Sequence, residues 1–243
     1  MKLTYFISDV HLGETEEQFE KLRVTQFVNF LKEIEKTASS VFFIGDLFDF
    51  WFEYKYVIPK KHFAIIHQLA IMREKKIAIT YLAGNHDFWL GSFFNKELGI
   101  ITVNEAWTGK IEDKRFFLYH GDGIAKKDGG YRVLKRILRN PLSIKLYQWI
   151  HPDWGIPFAR FVSGSSRQYT NHIDLSDHSD YIDFAKRQFD EGYDFVIMGH
   201  RHNPYEYEEK GKKYINLGDW LHYFSYAVFN GKTVEIKYYK SPA

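Results

Sequence analysis

Five short apolar runs, each followed at once by polar side chains, constrain this sequence more than any other feature. The runs are rich in β-branched and aromatic residues, which is typical of buried strands. They are Leu3–Ser8, Val41–Ile44, Ile77–Leu82, Arg115–Tyr119 and Phe195–Met198. The motifs that follow them are Asp9-Val10-His11, Gly45-Asp46-Leu47-Phe48-Asp49, Gly84-Asn85-His86-Asp87, His120-Gly121-Asp122 and Gly199-His200-Arg201-His202. Ligands of open α/β sheets bind beyond the carboxyl ends of the strands, so these side chains are expected to meet at one rim.

The segments between these runs carry the patterns of helices and hairpins. Apolar residues recur at helical spacing between the first two runs, at Phe19, Leu22, Phe27, Phe30, Leu31 and Ile34. A second helix is predicted from Ile182 to Phe189, before the last run. Lys210-Gly211 and Asn230-Gly231 predict two C-terminal hairpin turns. Strands, crossover helices and hairpins together predict an α/β fold with a mixed core.

The absence of cysteine limits the chemistry of the rim. A metal there must be held by nitrogen and oxygen donors, and the motifs supply four histidines, two aspartates and one asparagine. That set is too large for one Zn²⁺, which takes about four ligands, and it suits two metals that share a carboxylate. Imidazole and oxygen donors without sulfur favour Mn²⁺, Fe or Zn²⁺. Two ions roughly 4 Å apart activate a bridging water for phosphoryl displacement. The alternative is a set of unrelated polar loop ends.

The order of the motifs resembles the calcineurin-like metallophosphoesterase superfamily from Asp9 to His202. The resemblance implies a single domain over 1–243, folded as an α/β/β/α sandwich of two mixed sheets flanked by helices. It implies one metal held by Asp9, His11, Asp46 and His202, and another held by Asp46, Asn85, His120 and His200. It further implies that His86 contacts the leaving-group oxygen, that Asp87 orients the His86 ring, and that Asn85 holds phosphoryl oxygens. Asp49 is expected behind the ligands rather than among them.

Longer matches are similar to the UDP-2,3-diacylglucosamine hydrolases of lipid A synthesis. They lie in 46–51, 84–91, 120–123 and 128–131. The similarity implies a helical cap insertion over 124–170 and cleavage of the pyrophosphate of a doubly acylated UDP-sugar, giving UMP and 2,3-diacylglucosamine 1-phosphate. It also implies Mn²⁺ dependence and a place on the inner membrane surface. The implied substrate contacts are Asn85, His86, Asp128, Tyr131, Ser166, Arg167 and His200.

His86 departs from that similarity, because these lipid A enzymes commonly carry arginine there. A leaving phosphate is stabilised by a fixed cation, whereas an alkoxide leaving group needs an acid, for which histidine is suited. A calcineurin-like phosphodiesterase or phosphatase acting on a soluble nucleotide or another phosphoester therefore stays open. A scaffold of the same fold without catalysis is a further alternative, although every motif position is filled.

The segment Lys126–Arg167 carries nine basic and two acidic residues, which leaves the rest of the chain acidic. Arg132, Lys135, Arg136 and Arg139 fall on one helical face, with Leu134, Ile137 and Leu138 opposite. This pattern suits an anionic membrane surface, and the apolar residues that follow, from Leu142 to Phe161, suit acyl chains. Alternatively, these residues are cap core and the charges a solvated face. A nucleic-acid partner is not expected, because the aliphatic content fits lipid better.

The N-terminus and the lengths of the apolar runs predict a cytoplasmic protein. The first strand-like run reaches Asp9 without the pattern of a signal peptide. No apolar run reaches the roughly 20 residues of a membrane span.

Overall fold

Two mixed β-sheets form the centre of the computed structural model, which describes residues 2–13, 17–126, 128–159 and 177–240. The first sheet has the strand order β11-β10-β1-β2-β3-β4. Its strands are β1 (Leu3–Ile7), β2 (Ala38–Ile44), β3 (Ala78–Leu82), β4 (Ile101–Val103), β10 (Ser225–Phe229) and β11 (Val234–Tyr238). Neighbouring strands from β1 to β4 are parallel, and β10 and β11 add an antiparallel hairpin beside β1.

The second sheet has the order β5-β6-β7-β9-β8. Its strands are β5 (Trp107–Ile111), β6 (Lys114–Tyr119), β7 (Phe195–Met198), β8 (Tyr205–Glu209) and β9 (Lys212–Asn216). Neighbours β6, β7 and β9 are parallel, and the edge strands β5 and β8 are antiparallel. Both predicted C-terminal hairpins are confirmed. The five strand ends that carry the motifs are therefore divided between two sheets, three in the first and two in the second.

Helices occupy the connections between the strands. They are α1 (Glu17–Ile34), α2 (Phe63–Glu74), α3 (Phe93–Lys96), α4 (Gly129–Leu138), α5 (Pro141–Tyr147), α6 (152–159) and α7 (Ser179–Asp190), with a 3₁₀ turn at Lys60–His62. Because side chains alternate along a strand, Phe6 packs between the sheets while Tyr5 and Ile7 pack toward α1 and α2. Helix α7 packs on the second sheet through Tyr181 and Ala185. The predicted α/β/β/α sandwich is confirmed.

The predicted apolar face of α1 is only partly buried. Phe27, Phe30, Leu31 and Ile34 are at most 5% exposed. Phe19 and Leu22, which the spacing places on the same face, are 64% and 57% exposed. The apolar contacts of α1 with the core begin at Val24. Before that residue, Glu20 and Arg23 make polar contacts with the loop after β1 instead.

Helices α4, α5 and α6 leave most of their apolar side chains exposed. We call the following set the apolar residues of segment 129–159: Val133, Leu134, Ile137, Leu142, Leu146, Trp149, Ile150, Trp154 and Phe158. Their exposed fractions run from 39% to 84%. Ile144 and Ile156 do pack, against Phe50, Phe52 and Tyr54. The cap-core interpretation therefore holds for two residues, and Phe161 lies outside the described residues. Across the described chain, no helix is both long and apolar enough to cross a membrane.

Candidate metal centre

The loops after β1 and β2 run side by side and form the first half of the site. The backbone N–H groups of Val10 and His11 donate to the Asp46 carbonyl at 2.9 and 3.0 Å, and Asp9 N donates to the Gly45 carbonyl at 3.2 Å. Backbone pairing thus continues beyond the ends of the two parallel strands. As a result, the side chains of Asp9, His11 and Asp46 project from adjacent positions.

Three side-chain contacts define this half. The Nε2 atom of His11 lies 3.7 Å from Asp9 Oδ1 and 3.7 Å from Asp46 Oδ2. From the second sheet, His202 Nε2 lies 3.5 Å from Asp9 Oδ1. Asp9, His11 and His202 form one of the groups of donor atoms that lie within 4.8 Å of one another. These three residues and Asp46 are the four predicted for one metal.

The second half of the site lies on the other side of Asp46. His120 Nε2 is 3.3 Å from Asp46 Oδ2 and 2.9 Å from Asn85 Oδ1. His200 Nδ1 is also 2.9 Å from Asn85 Oδ1, and its backbone N–H donates to Asp9 Oδ2 at 2.9 Å. The structure therefore brings together all seven residues that the sequence places at the rim. Asp46 Oδ2 faces both halves, as expected of a shared carboxylate.

Two glycines allow this close approach. A Cβ atom on Gly84 would lie 2.1 Å from Asp46 Oδ1, and one on Gly199 would lie 2.3 Å from Asp9 Oδ2. A sharp turn explains only the motif glycine Gly45, whose φ of 79° is left-handed. Gly84 and Gly199 are needed because a side chain there would displace a buried carboxylate.

Five of the seven candidate ligands have a left-handed backbone. Asp9, His11, Asp46, His200 and His202 have φ between 49° and 70°. Non-glycine residues in this region cost of order 1–3 kcal/mol each and persist where the surrounding structure holds them. The backbone and carboxylate hydrogen bonds described above provide that support. The strain is concentrated at the site, and no pattern in the sequence indicates it.

Burial and mutual charge set the ionisation of these groups. Burial opposes protonation of His120, but the Asp46 carboxylate outweighs it and raises the pKa of His120 to about 10. Burial lowers the pKa of His11 and that of His200 to about 4. Burial also opposes ionisation of Asp46, but the neighbouring His120 and His86 hold its pKa well below the usual value. At neutral pH the carboxylates are therefore ionised and two of the rings are neutral, which metal ligation requires.

Several buried donors fit a bound cation. Within the described residues, Asp9 Oδ1 and both ring nitrogens of His11 have no hydrogen-bond partner, although both side chains are at most 2% exposed. His120 Nδ1 lies 2.9 Å from the Ile44 carbonyl and donates there, so Nε2 is the ring atom that faces Asp46 and Asn85. Buried polar atoms without partners are costly. A pair of cations would satisfy them, and the donor set fits such a pair.

Asp87 does not have the position expected of it. Its carboxylate accepts from the backbone N–H groups of Asp46, Leu47, Phe48 and Gly84, and from the hydroxyl of Tyr81. His86 Nδ1 lies 3.0 Å from the Asp49 carbonyl and 3.4 Å from Asp49 Oδ1 instead. This corrects the expectation that Asp87 orients the His86 ring. Asp87 holds the backbone of the Asp46 loop, and Asp49 is the carboxylate beside His86.

Asp219 is a site residue that sequence reasoning missed. It is fully buried, and its Oδ2 atom lies 3.4 Å from His202 Nδ1 and 2.9 Å from His222 Nδ1. Its Oδ1 atom accepts backbone N–H groups from 221–223. A carboxylate behind a histidine fixes the orientation of the ring. Leu217-Gly218-Asp219 follows a strand, as the recognised motifs do, and His222 three residues later is the signal in the sequence that could have marked it.

The residues expected to contact substrate from the cap are only partly described. Asp128 immediately precedes α4, and the Tyr131 hydroxyl donates to Asp122 Oδ2 at 2.8 Å. Ser166 and Arg167 lie outside the described residues. The substrate contacts of all four stay predictions.

Comparisons with known proteins identify the family. The calcineurin-like phosphoesterase family model matches residues 3–204. The UDP-2,3-diacylglucosamine hydrolase of Porphyromonas gingivalis is 33% identical and covers 96% of both chains. That of Haemophilus influenzae is 27% identical over 90% of this chain and 91% of its own. A solved structure described as a novel archaeal phosphodiesterase aligns with 98% of this chain and 99% of its own, at 15% identity and a TM-score of 0.47.

The family match spans the first sheet up to β4, the second sheet up to β7 and all seven candidate ligands. The resemblance stated from the motifs is therefore confirmed. The chain belongs to the calcineurin-like phosphoesterase family and is a metal-dependent hydrolase.

Proposed function

We propose that this protein hydrolyses the pyrophosphate bond of UDP-2,3-diacylglucosamine, giving UMP and 2,3-diacylglucosamine 1-phosphate. Besides the names of the relatives, one contact in the structure supports the proposal. Arg139, at the end of α4, donates to the Gly84 carbonyl at 3.0 Å, and Gly84 directly precedes the candidate ligand Asn85. The helices that expose apolar side chains are thus joined to the rim of the metal centre, where a lipid-linked pyrophosphate would be cleaved.

The seven side chains at the rim are proposed as the metal ligands. One ion would be held by Asp9, His11, Asp46 and His202, and the other by Asp46, Asn85, His120 and His200. The ions, most simply two Mn²⁺ with Fe or Zn²⁺ as alternatives, would supply an activated water and neutralise phosphoryl charge when bound. The chain itself holds these donors in place through strained but well-supported loops.

His86 is proposed to contact the leaving-group oxygen. Its ring lies 4.8 Å from the His11 ring, and its side chain is 12% exposed, so it borders the metal centre and remains reachable by substrate. The Asp49 carbonyl lies 3.0 Å from Nδ1 and fixes the orientation of the ring, and Nε2 is the atom proposed to meet the substrate. Asp49, not Asp87, is the residue that orients this ring.

Segment 129–159 is proposed as part of a cap that holds the acyl chains and meets the inner membrane surface. The prediction that the basic face of α4 meets an anionic membrane surface needs correction. Lys135 and Arg139 are 15% and 17% exposed and contact Asp122, so they do not face an anionic surface. The exposed positions of α4 carry the apolar Val133, Leu134 and Ile137 together with the basic Arg132 and Arg136. Contact with the membrane would therefore depend on apolar side chains more than on basic ones.

Replacing Asp219 with asparagine is expected to weaken metal binding. The change removes the charge behind His202 Nδ1 and leaves an amide whose donor group can face the ring. Loss of such a partner typically lowers metal affinity by about 10–100-fold. Equilibrium dialysis against Mn²⁺ measures the effect, and Asp183→Asn, an exposed change on α7, is the matched control. Equal affinities in the two variants would contradict the role of Asp219.

The substrate class is tested by comparing two substrates of the Mn²⁺-loaded protein. We expect kcat/KM for UDP-2,3-diacylglucosamine to exceed that for bis-p-nitrophenyl phosphate by at least about a thousandfold, because remote binding energy promotes only the first reaction. Product analysis should give UMP and the lipid phosphate. A preference for the small ester would favour the soluble-phosphoester alternative and reject the lipid assignment.

A further inference from the structure

A buried carboxylate outside the ligand set lies between α4 and the metal centre. Asp122 is 2% exposed and follows His120 by two residues. The flanking Gly121 and Gly123 have φ of 110° and 84°, a backbone that favours glycine, and they let the chain bend on both sides of Asp122. The resemblance of the motifs to known families implies no role for Asp122, and Asp122 is not among the ligands of either proposed metal.

Three residues of one helical face converge on a single oxygen of Asp122. The Tyr131 hydroxyl donates to Oδ2 at 2.8 Å, Lys135 Nζ lies 2.9 Å from Oδ2, and an Arg139 amino group lies 3.6 Å from it. These positions are spaced by four residues and therefore lie on one side of α4 and its C-terminal cap. Lys135 also donates to the Tyr119 hydroxyl at 3.0 Å, and Tyr119 donates to the Asp122 carbonyl at 2.7 Å.

The same face of α4 also contacts the loop after β3, which carries the candidate ligand Asn85. Arg139 donates to the Gly84 carbonyl at 3.0 Å and to the Asn104 carbonyl at 2.8 Å. Gly84 adjoins Asn85, and Asp122 belongs to the loop that begins with His120. Helix α4 is thus tied to two of the four loops that carry ligands of the second proposed metal, and Asp122 is the common acceptor at the junction.

We propose that Asp122 is a positioning residue, which fixes α4 and its substrate-binding face over the metal centre through Tyr131, Lys135 and Arg139. The proposal rests on the proposed function, because the face of α4 that Asp122 holds is taken to bind a lipid-linked substrate. A buried carboxylate surrounded by two cations and a hydroxyl holds these groups in fixed positions. Removing its charge would leave the two cations without a counter-charge. Lys135 and Arg139 then serve to place the helix.

The test replaces Asp122 with asparagine, which keeps the shape and removes the charge. Amide hydrogen exchange of peptides from 129–147 is expected to accelerate by at least about tenfold, while peptides from β2 stay unchanged. For UDP-2,3-diacylglucosamine, KM is expected to rise about tenfold with a much smaller change in kcat, because binding geometry is lost while the ligand set is intact. Arg136→Gln removes a charge from an exposed position of the same helix and should leave both readouts at the wild-type level.

Each outcome is decisive. Wild-type exchange in 129–147 of Asp122→Asn would overturn the proposal, as would faster exchange with unchanged KM, since Asp122 would then be merely structural. If the wild-type protein does not cleave the lipid UDP-sugar, the proposed function fails, and the exchange data alone still decide whether Asp122 holds α4. Should Asp122→Asn not fold, Lys135→Met provides the same test from the helix side, with Arg136→Met as its control.

Discussion

Alanine at Asp46 is expected to lower turnover of every phosphoester that the wild-type protein cleaves by at least about a thousandfold, since a shared carboxylate contributes several kcal/mol of transition-state stabilisation through both ions. The Asp46 side chain is the one that faces both halves of the site, with Oδ2 3.7 Å from His11 and 3.3 Å from His120. Metal analysis should show loss of bound Mn²⁺ in parallel with the loss of activity.

The fold should survive this change. The loop that carries Asp46 is held by its backbone, through the N–H groups of 46–48 that donate to Asp87. The far-UV circular dichroism spectrum is therefore expected to match wild type. Asp183→Ala, which removes an exposed carboxylate from α7, serves as the control for loss of charge. Substantial activity of Asp46→Ala in added Mn²⁺ would contradict the role of Asp46 as the shared ligand.

Glutamine at both Trp149 and Trp154 is expected to reduce binding to anionic phospholipid vesicles by at least about a hundredfold, given roughly 1.5–3 kcal/mol for each large apolar side chain transferred from water. These side chains are 84% and 77% exposed, the largest among the apolar residues of segment 129–159. Vesicle flotation or sedimentation measures the partition coefficient, and hydrolysis of a water-soluble ester checks that the centre is intact.

A second pair of exposed apolar residues provides the matched control. Phe19 and Leu22 on α1 are 64% and 57% exposed but lie outside segment 129–159. Glutamine at both should leave vesicle binding within about twofold of wild type, because only the cap is proposed to meet the membrane. If both pairs reduce binding equally, general surface hydrophobicity rather than the cap governs association, and the proposed membrane surface is wrong.

Local patterns predicted most of the architecture. The five strand runs, the α1 and α7 periodicities and the two hairpin turns all correspond to elements of the structure, because side-chain period and turn residues act over a few neighbouring positions. The seven rim residues could be selected for the same reason. Each follows a strand directly, so the topology of the sheets brings it to the site without any detail of side-chain packing.

Features that depend on distant contacts could not be predicted in this way. The spacing of α4 identified its basic face, but only the buried Asp122 explains why Lys135 and Arg139 turn inward. Arg132 and Arg136 of the same face stay exposed. The adjacency of His86 and Asp87 suggested a pair, whereas the loop geometry turns Asp87 to the backbone of 46–48 and brings Asp49 beside His86. Asp219 had no motif partner, because its partner His202 is 17 residues away.

Crystals of the protein grown with Mn²⁺ and measured above the manganese absorption edge test the central claim most directly. We expect two anomalous peaks roughly 4 Å apart. One should lie among Asp9, His11 and His202, the other among Asn85, His120 and His200, with Asp46 touching both. A single peak, or peaks away from these residues, would contradict the two-metal account of this centre.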